Sequence, residues 1–166
     1  MIPPFTITET HDPESVWRIV TDVSVFNRVC DDAWLAKSLD EVKAVVTGVV
    51  TNSDNHVLSV VSGGVVLGCF VCYRMAEGVY EVHTFLTDAC RGEFAIAAGK
   101  AAMKFMFGLP GVEKLISVCP QCLPESYWFA RRCGWRNVGI GREKWVKFGV
   151  EYPVQQVEIT KGDICH

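Results

Sequence analysis

A 19-residue run without Asp, Glu, Lys or Arg limits the folds open to this chain. Residues 55–73, NHVLSVVSGGVVLGCFVCY, are almost enough to span a membrane as a helix. However, Ser62, Gly63 and Gly64 interrupt the run at its centre, and valine is common in both halves. Because glycine permits tight turns and β-branched residues favour strands, the run predicts two strands joined by a hairpin rather than a membrane helix.

Length, charge and composition narrow the function classes. The chain has 166 residues, of which 49% are hydrophobic, so we expect one domain over residues 1–166 with one well-buried core. Sixteen Lys and Arg residues against 19 Asp and Glu residues give a net charge of −3, which disfavours non-specific binding to nucleic acid. The first 14 residues lack the cationic and apolar regions of a signal peptide. These features predict a cytoplasmic protein with a small or neutral partner and no membrane contact.

Eight cysteines raise the question of disulfides or a metal site. Two pairs have the spacing of zinc ligands, Cys69 with Cys72 and Cys119 with Cys122. Cys69 and Cys72 fall in a predicted strand, where an offset of three places side chains on opposite faces, whereas a zinc site needs both thiolates to converge. We therefore expect reduced thiols, no metal site and less than stoichiometric zinc.

The predicted elements alternate between strands and helices. The helix near the middle of the chain is amphipathic, since Phe94, Ala98, Ala101 and Phe105 recur at offsets of four, three and four. In chain order, the prediction is a strand at 5–8, a helix from an N-cap at Asp12 to about Arg28, a loop or short helix at 31–40, strands at about 43–50, 57–62, 65–75 and 78–86, a helix at 92–107, a strand at 114–118, a helix at 124–132, and strands at 135–149 and 153–160.

Three segments carry a resemblance to a known family: EVHTFL at 81–86, Arg91–Gly92 at the start of the predicted helix, and FARRCGW at 129–135. Together they resemble the GNAT superfamily of acyl-CoA-dependent N-acetyltransferases, and more closely its divergent members encoded by tailed phages and prophages. The similarity covers about residues 57–160. It implies an α/β fold with a mixed, mainly antiparallel central sheet flanked by helices, in which two splayed strands form a cleft for acyl-CoA.

The resemblance also implies that acetyl-CoA is the co-substrate and that its pyrophosphate lies at the start of the helix near residue 92. A loop entering a helix offers unpaired backbone N–H groups and the positive end of the helix dipole, which independently supports an anion site there. The family pattern would place small residues at positions 94 and 96, where this chain has Phe94 and Ile96. A plain strand-to-helix turn with a solvated arginine is therefore the alternative. The expected cofactor-binding residues are Phe85, Leu86, Arg91, Gly92, Glu93, Phe94 and Ala95.

Glu81 and His83 are the candidate groups for proton transfer. They lie two apart on a predicted strand, so their side chains share a face with Cβ atoms roughly 6–7 Å apart. A neighbouring carboxylate favours the cationic form of a histidine and burial opposes it, which makes His83 a candidate proton acceptor. The alternative is a structural ion pair or a core histidine. His11, His56 and His166 fall in predicted loops or at the terminus and have weaker claims.

No residue of the family pattern is present to protonate the departing thiolate. The resemblance implies a tyrosine on the last helix and an asparagine seven residues earlier, but the matching positions hold Ala130 and Leu123. Tyr127 is the candidate substitute because it is the only phenol on that predicted helix, although a tyrosine beside Trp128 also suits packing.

The leading hypothesis is an N-acetyltransferase that moves an acetyl group from acetyl-CoA to a small-molecule or protein amine. A non-catalytic GNAT-like module for phage binding or virion assembly is the alternative, since it accounts for the replaced motif residues. The sequence identifies neither the acceptor nor the oligomeric state, for which a homodimer is one option.

Overall fold

The computed structural model describes residues 1–164, so His166 lies outside the described part of the chain. In chain order, the elements are β1 (Thr6–Glu9), α1 (Pro13–Val20), α2 (Val23–Val29), α3 (Asp32–Leu35), α4 (Leu39–Thr51), β2 (His56–Ser62), β3 (Val65–Ala76), β4 (Val79–Leu86), α5 (Glu93–Gly108), β5 (Lys114–Pro120), α6 (Pro124–Arg132), β6 (Arg136–Lys147), β7 (Val150–Thr160) and α7 (Lys161–Ile164).

One seven-stranded sheet organises these elements, with the strand order β1-β2-β3-β4-β5-β7-β6. Neighbouring strands are antiparallel except β4 and β5, which are parallel. Gly63 and Gly64 join β2 to β3 with φ angles of 57° and 77°, a left-handed conformation that suits glycine. The predicted hairpin and the predicted mixed, mainly antiparallel sheet with flanking helices are therefore confirmed.

Helices cover both faces of the sheet and bury two apolar clusters. On one face, side chains such as Val82 of β4 pack against α5 and α6. On the other face, side chains such as Val71 of β3 pack against α1 and α4. Cys72 belongs to the first cluster and Cys69 to the second, which confirms that their thiols point to opposite faces. No helix among residues 1–164 is both long and apolar enough to cross a membrane.

The prediction of a strand at 43–50 is wrong, because these residues belong to helix α4. Val42, Val46 and Val50 recur every four residues and are all buried, which is the spacing of one helix face. A capping box fixes the start of the helix: the Ser38 hydroxyl accepts from the Glu41 N–H at 3.2 Å, and the Glu41 carboxylate accepts from the Ser38 N–H at 2.6 Å. Burial of the valine stripe thus outweighs the strand preference of valine.

The predicted helix from Asp12 to Arg28 is divided in two. Asp12 caps α1 as expected, but α1 ends at Val20, and Asp22 caps a second helix by accepting from the Ser24 N–H at 2.9 Å. The segment left open at 31–40 contains the short helix α3 and the start of α4. His56 also differs from its predicted loop position, since it begins β2 and its Nδ1 lies 2.7 Å from Glu9 Oε1.

Candidate functional site

A cleft opens where β4 and β5 separate. The two strands pair only from Val79–Lys114 to Glu81–Ile116, and both continue beyond that point. The Ser117 hydroxyl donates to the Val82 carbonyl at 2.8 Å where the pairing stops. The resulting space, called here the splay cleft, has a volume of about 520 Å³. Its walls include Thr84 and Phe85 of β4, Val118 and Cys119 of β5, Ala95 of α5 and Phe129 of α6.

The exposed edge of β4 offers backbone groups to a ligand in the splay cleft. Ser117 bonds the Val82 carbonyl, and the Arg28 guanidinium donates to the Leu86 carbonyl at 3.2 Å. Since backbone groups of alternate residues point to the same side of a strand, the N–H and C=O of Thr84 also face the cleft. An extended ligand lying along β4 can therefore pair with Thr84 in the manner of an added strand.

The start of α5 presents free backbone donors at the mouth of the splay cleft. Gly92 is the N-cap, with φ 59° and ψ −133°, and it provides no capping side chain. Within the described residues, the N–H groups of Gly92, Glu93 and Phe94 find no hydrogen-bond partner. Such a helix start attracts an anion through these donors and the helix dipole.

Among the described residues, three arginines and one carboxylate residue, Glu125, line the splay cleft. Arg28 and Arg91 both contact Asp88, at 3.7 Å and 3.3 Å. Arg132 of α6 reaches Glu93 at the start of α5, at 2.5 Å. Asp88, Glu93 and Glu125 thus balance the three guanidinium groups, which offer a polyanionic ligand hydrogen-bond donors rather than a net positive charge.

The bulky residues at positions 94 and 96 do not close this helix start. Phe94 is buried in the core cluster, with its ring centroid 5.3 Å from that of Phe5, and it is not among the cleft-lining residues. Ile96 is also buried but lies on the cleft wall. The backbone amide of Phe94 therefore faces the loop while its side chain points into the core.

The expected cofactor-binding residues divide into two groups. Glu93 and Phe94 contribute no side chain to the cleft wall, because Glu93 is paired with Arg132 and Phe94 is in the core. The five that line the splay cleft are Phe85, Leu86, Arg91, Gly92 and Ala95.

Glu81 and His83 form a direct hydrogen bond on β4. His83 Nε2 lies 2.6 Å from Glu81 Oε1, and this bond holds the pKa of Glu81 below its ordinary value despite partial burial. Because an ionised carboxylate only accepts hydrogen bonds, Nε2 carries the proton in neutral His83 and Nδ1 keeps its lone pair. His83 lines the splay cleft, so the pair presents a proton acceptor beside it.

His83 also borders a second space on the α4 side of the sheet. This space, called here the α4 groove, is an open depression of about 580 Å³. Tyr73 contributes one wall, with its ring edge-on to His83 and the centroids 5.1 Å apart. Burial raises the pKa of Tyr73, which therefore stays a neutral phenol. The α4 groove is formed by Gly48 and Val49 of α4, Tyr73 and Met75 of β3, and Glu81 and His83 of β4.

Tyr127, the candidate acid, is not among the residues that line the splay cleft. Its ring packs against the core cluster and contacts Trp128 edge-on, with centroids 5.7 Å apart. Ala130 and Leu123, which occupy the expected tyrosine and asparagine positions, do line the cleft. The structure therefore brings Glu81 and His83 together but does not bring Tyr127 to them.

Other donors lie on the cleft wall. The Ser126 hydroxyl donates to the Leu123 carbonyl at 2.8 Å. Burial raises the pKa of the Cys119 thiol, and the neighbouring Ser126 side chain offsets part of this effect. The Trp145 indole N–H is buried and has no hydrogen-bond partner within the described residues. A buried donor without a partner costs free energy in the folded chain.

Sequence patterns did not identify four of these groups: Arg28, Ser117, Arg132 and Trp145. Arg28 reaches Leu86 across 58 positions of sequence, and Arg132 reaches Glu93 across 39. No local spacing encodes such contacts. Arg131 and Arg132 in the last turn of α6 were a visible cationic signal, but their direction depends on how α6 packs.

No protein-family model and no curated protein sequence matches the chain, whereas solved structures do. A mutant of the spermidine N-acetyltransferase SpeG from Vibrio cholerae superposes with a TM-score of 0.79 at 15% identity, covering 98% of this chain and 96% of that chain. A GNAT-family acetyltransferase from Bacillus anthracis gives 0.73 at 16% identity, covering 98% of both chains. A probable GNAT-family acetyltransferase from Chromobacterium violaceum gives 0.72 at 19% identity, covering 96% of this chain and 88% of that chain. The chain therefore has the fold of the GNAT-family acetyltransferases.

Proposed function

We propose that the chain is an N-acetyltransferase that moves an acetyl group from acetyl-CoA to a primary amine. The observation that carries this proposal is the splay cleft, which joins in one space an unpaired strand edge, a helix start with free amides and arginine side chains, and His83 with its hydrogen bond to Glu81. The fold shared with a spermidine N-acetyltransferase supports it.

The groups around the splay cleft fit the parts of acetyl-CoA. The free amides of Gly92 to Phe94 and the Arg91 guanidinium suit a pyrophosphate, and Arg132 is a further cation at the same mouth. The Thr84 backbone and the apolar wall at Phe85 suit the amide-bearing pantetheine arm. When bound, acetyl-CoA supplies an acetyl group activated as a thioester.

His83 is the proton acceptor in this proposal. An amine is protonated near neutral pH and attacks a thioester carbon only after it loses a proton. His83 Nδ1 accepts that proton, while Glu81 keeps Nε2–H oriented and stabilises the resulting imidazolium. The nitrogen then forms its bond to the acetyl carbon as the carbon–sulfur bond breaks.

The proton for the leaving sulfur has several sources on the cleft wall. Ser126 and Cys119 lie on the β5–α6 side, where the family-like tyrosine position holds Ala130. His83 in its cationic form is a third donor.

Binding of acetyl-CoA is the first test, and a melting experiment measures it. At a concentration 100 times its dissociation constant, a ligand of the folded state stabilises by about 2.7 kcal/mol. For a chain of this length we expect a rise in melting temperature of about 5–11 °C. Acetyl transfer is then measured as amine-dependent release of the CoA thiol. An unchanged melting temperature over a wide acetyl-CoA range would contradict the proposal.

Replacing Gly92 with leucine should weaken acetyl-CoA binding by more than tenfold, about 1.4 kcal/mol. The φ and ψ angles of Gly92 are accessible almost only to glycine, so a side chain forces the loop to turn its amides elsewhere. Calorimetric titration with acetyl-CoA measures the change. Gly111→Leu is the matched control, since Gly111 also has a positive φ of 78° and open space around it but does not line the splay cleft. Equal affinities for the two variants would remove the α5 start from the site.

A non-catalytic role in phage binding or virion assembly is the second candidate. The presence of Ala130 and Leu123 on the cleft wall favours it, because no phenol and no carboxamide side chain is among the cleft-lining residues in the described part of the chain. In that case no amine is acetylated, whether or not acetyl-CoA binds.

A further inference from the structure

We propose that the α4 groove holds the amine acceptor and that this acceptor is a primary amine with one positive charge and an apolar body, not a polyamine. The inference rests on the proposed transferase function for its chemistry. The location of the binding site and the charge of its ligand follow from the side chains that line the α4 groove.

Position is the first argument. The His83 side chain points to the α1–α4 face of the sheet, as its contact with Tyr73 shows, whereas α5 and α6 cover the opposite face. His83 borders both the splay cleft and the α4 groove. An amine in the α4 groove therefore reaches His83 from the side opposite the start of α5. The two substrates then meet at the proton acceptor without sharing an entrance.

Charge is the second argument. Glu81 is the one carboxylate residue among the groove-lining side chains of the described chain, and Arg74 is a cation on the same rim. Asp54 lies nearby, but its carboxylate is already paired with Arg74 at 3.3 Å. One ammonium group is thus complemented by Glu81, whereas a second or third would find no free carboxylate on the groove wall, since Asp54 and Arg74 neutralise each other. Further ammonium groups therefore gain no ion pair in the groove, which favours an amine with a single charge over a polyamine.

The floor of the α4 groove supplies the third argument. Gly48 lies inside helix α4, where glycine costs about 1 kcal/mol relative to alanine. Gly99 in α5 has a packing reason, because a Cβ there would lie 2.7 Å from Cys133 Sγ. At Gly48 a Cβ would meet nothing within 4 Å. The missing side chain therefore leaves open space over the groove, beside the apolar side chains of Val49 and Met75, and this space suits an aliphatic or aromatic body.

Amine binding is tested on the full chain saturated with CoA, so that the result does not depend on turnover. Amide chemical shifts are followed by NMR while 2-phenylethylamine or spermidine is added. We expect 2-phenylethylamine to bind at least tenfold more tightly than spermidine and to shift signals at 45–52 and 73–83. Tighter binding of spermidine, or shifts confined to other parts of the chain, would overturn the inference.

Two pairs of variants test separately the location of the amine site and the charge of its ligand. Gly48→Leu should fill the groove and weaken binding of 2-phenylethylamine at least tenfold, whereas Gly108→Leu, also a helical glycine in open space, should not. Val45→Glu adds a carboxylate on the groove rim and should move the affinity ratio toward spermidine by at least tenfold. Val65→Glu, at the far end of β3, should leave the ratio unchanged.

The variants also distinguish this inference from the proposed function. If amines bind in the α4 groove as expected but none is acetylated, the transferase proposal fails and the assigned ligand class stands. If amines are acetylated at the same rate by Gly48→Leu and by the parent chain, the transferase proposal stands and the α4 groove is not the acceptor site.

Discussion

Replacing His83 with glutamine should lower the rate of acetyl transfer by about 10²–10⁴-fold, the range expected for loss of one positioned proton acceptor. Glutamine keeps the polarity of the side chain but offers no nitrogen that takes up a proton. Acetyl-CoA binding should stay nearly intact, because the amides and arginines at the start of α5 are unchanged. Initial rates of thiol release with a saturating amine, together with calorimetric titration of acetyl-CoA, measure the two quantities.

The pH dependence of the rate identifies the role of His83. The rate of the parent chain should have an acidic limb, because a proton acceptor works only in its unprotonated form, and His83→Gln should lack this limb. Tyr127→Phe is the control, because the Tyr127 ring packs against the core and is not on the cleft wall. We expect that variant to retain most of the parent rate. If His83→Gln instead keeps both the parent rate and its acidic limb, the Glu81–His83 hydrogen bond is only structural.

Short-range signals were enough to predict most of the sheet and the central helix. The turn at Gly63–Gly64, the alternation in β3 and β4, and the apolar period of α5 are all encoded within a few neighbouring residues. Each such signal acts through local backbone preferences, which tertiary contacts then reinforce. The mixed sheet with its flanking helices could therefore be predicted from the amino-acid sequence.

Helix α4 shows where local preference misleads. Its valines favour a strand by intrinsic preference, a scale that spans only about 1 kcal/mol and depends on context. Burying a valine side chain contributes about 1.5–3 kcal/mol, and Val42, Val46 and Val50 are all buried against the sheet. The free energy gained by burial is larger than the strand preference. The capping box at Ser38 and Glu41 was the local signal that indicated a helix.

The candidate site was predictable only where its residues are neighbours in sequence. Glu81 and His83 lie on one strand face, so their contact follows from strand geometry. The direction of Phe94 depends on its packing against Phe5, and the positions of Arg28 and Arg132 at the cleft depend on where α2 and α6 pack. Contacts between residues so far apart in the chain leave no pattern of spacing in the sequence. The same reason explains why the α4 groove, which involves a helix that was predicted as a strand, was not anticipated.

Shortening Leu115 to alanine should lower the free energy of unfolding by about 3–5 kcal/mol. Leu115 is 1% exposed and lies on β5, where Tyr80 of β4 and Ile159 of β7 flank it in register. Its side chain already borders a small residual void between the sheet and α5. Because strands on both sides fix the backbone, the surroundings cannot move in to fill the enlarged cavity. Thermal unfolding should show a fall in melting temperature of about 6–20 °C.

Leu39→Ala provides the matched control for this cavity. Leu39 is the first residue of α4 and is 52% exposed, so the same chemical change should alter the free energy of unfolding by less than about 0.5 kcal/mol. The last pair before the splay, Glu81 with Ile116, lies one residue beyond the Tyr80–Leu115 pair. Acetyl-CoA should still raise the melting temperature of Leu115→Ala as much as that of the parent chain if the paired segment keeps its register. Equal losses in the two leucine variants would contradict the packing argument, and loss of the acetyl-CoA effect in Leu115→Ala alone would mean that this core contact also sets the opening between β4 and β5.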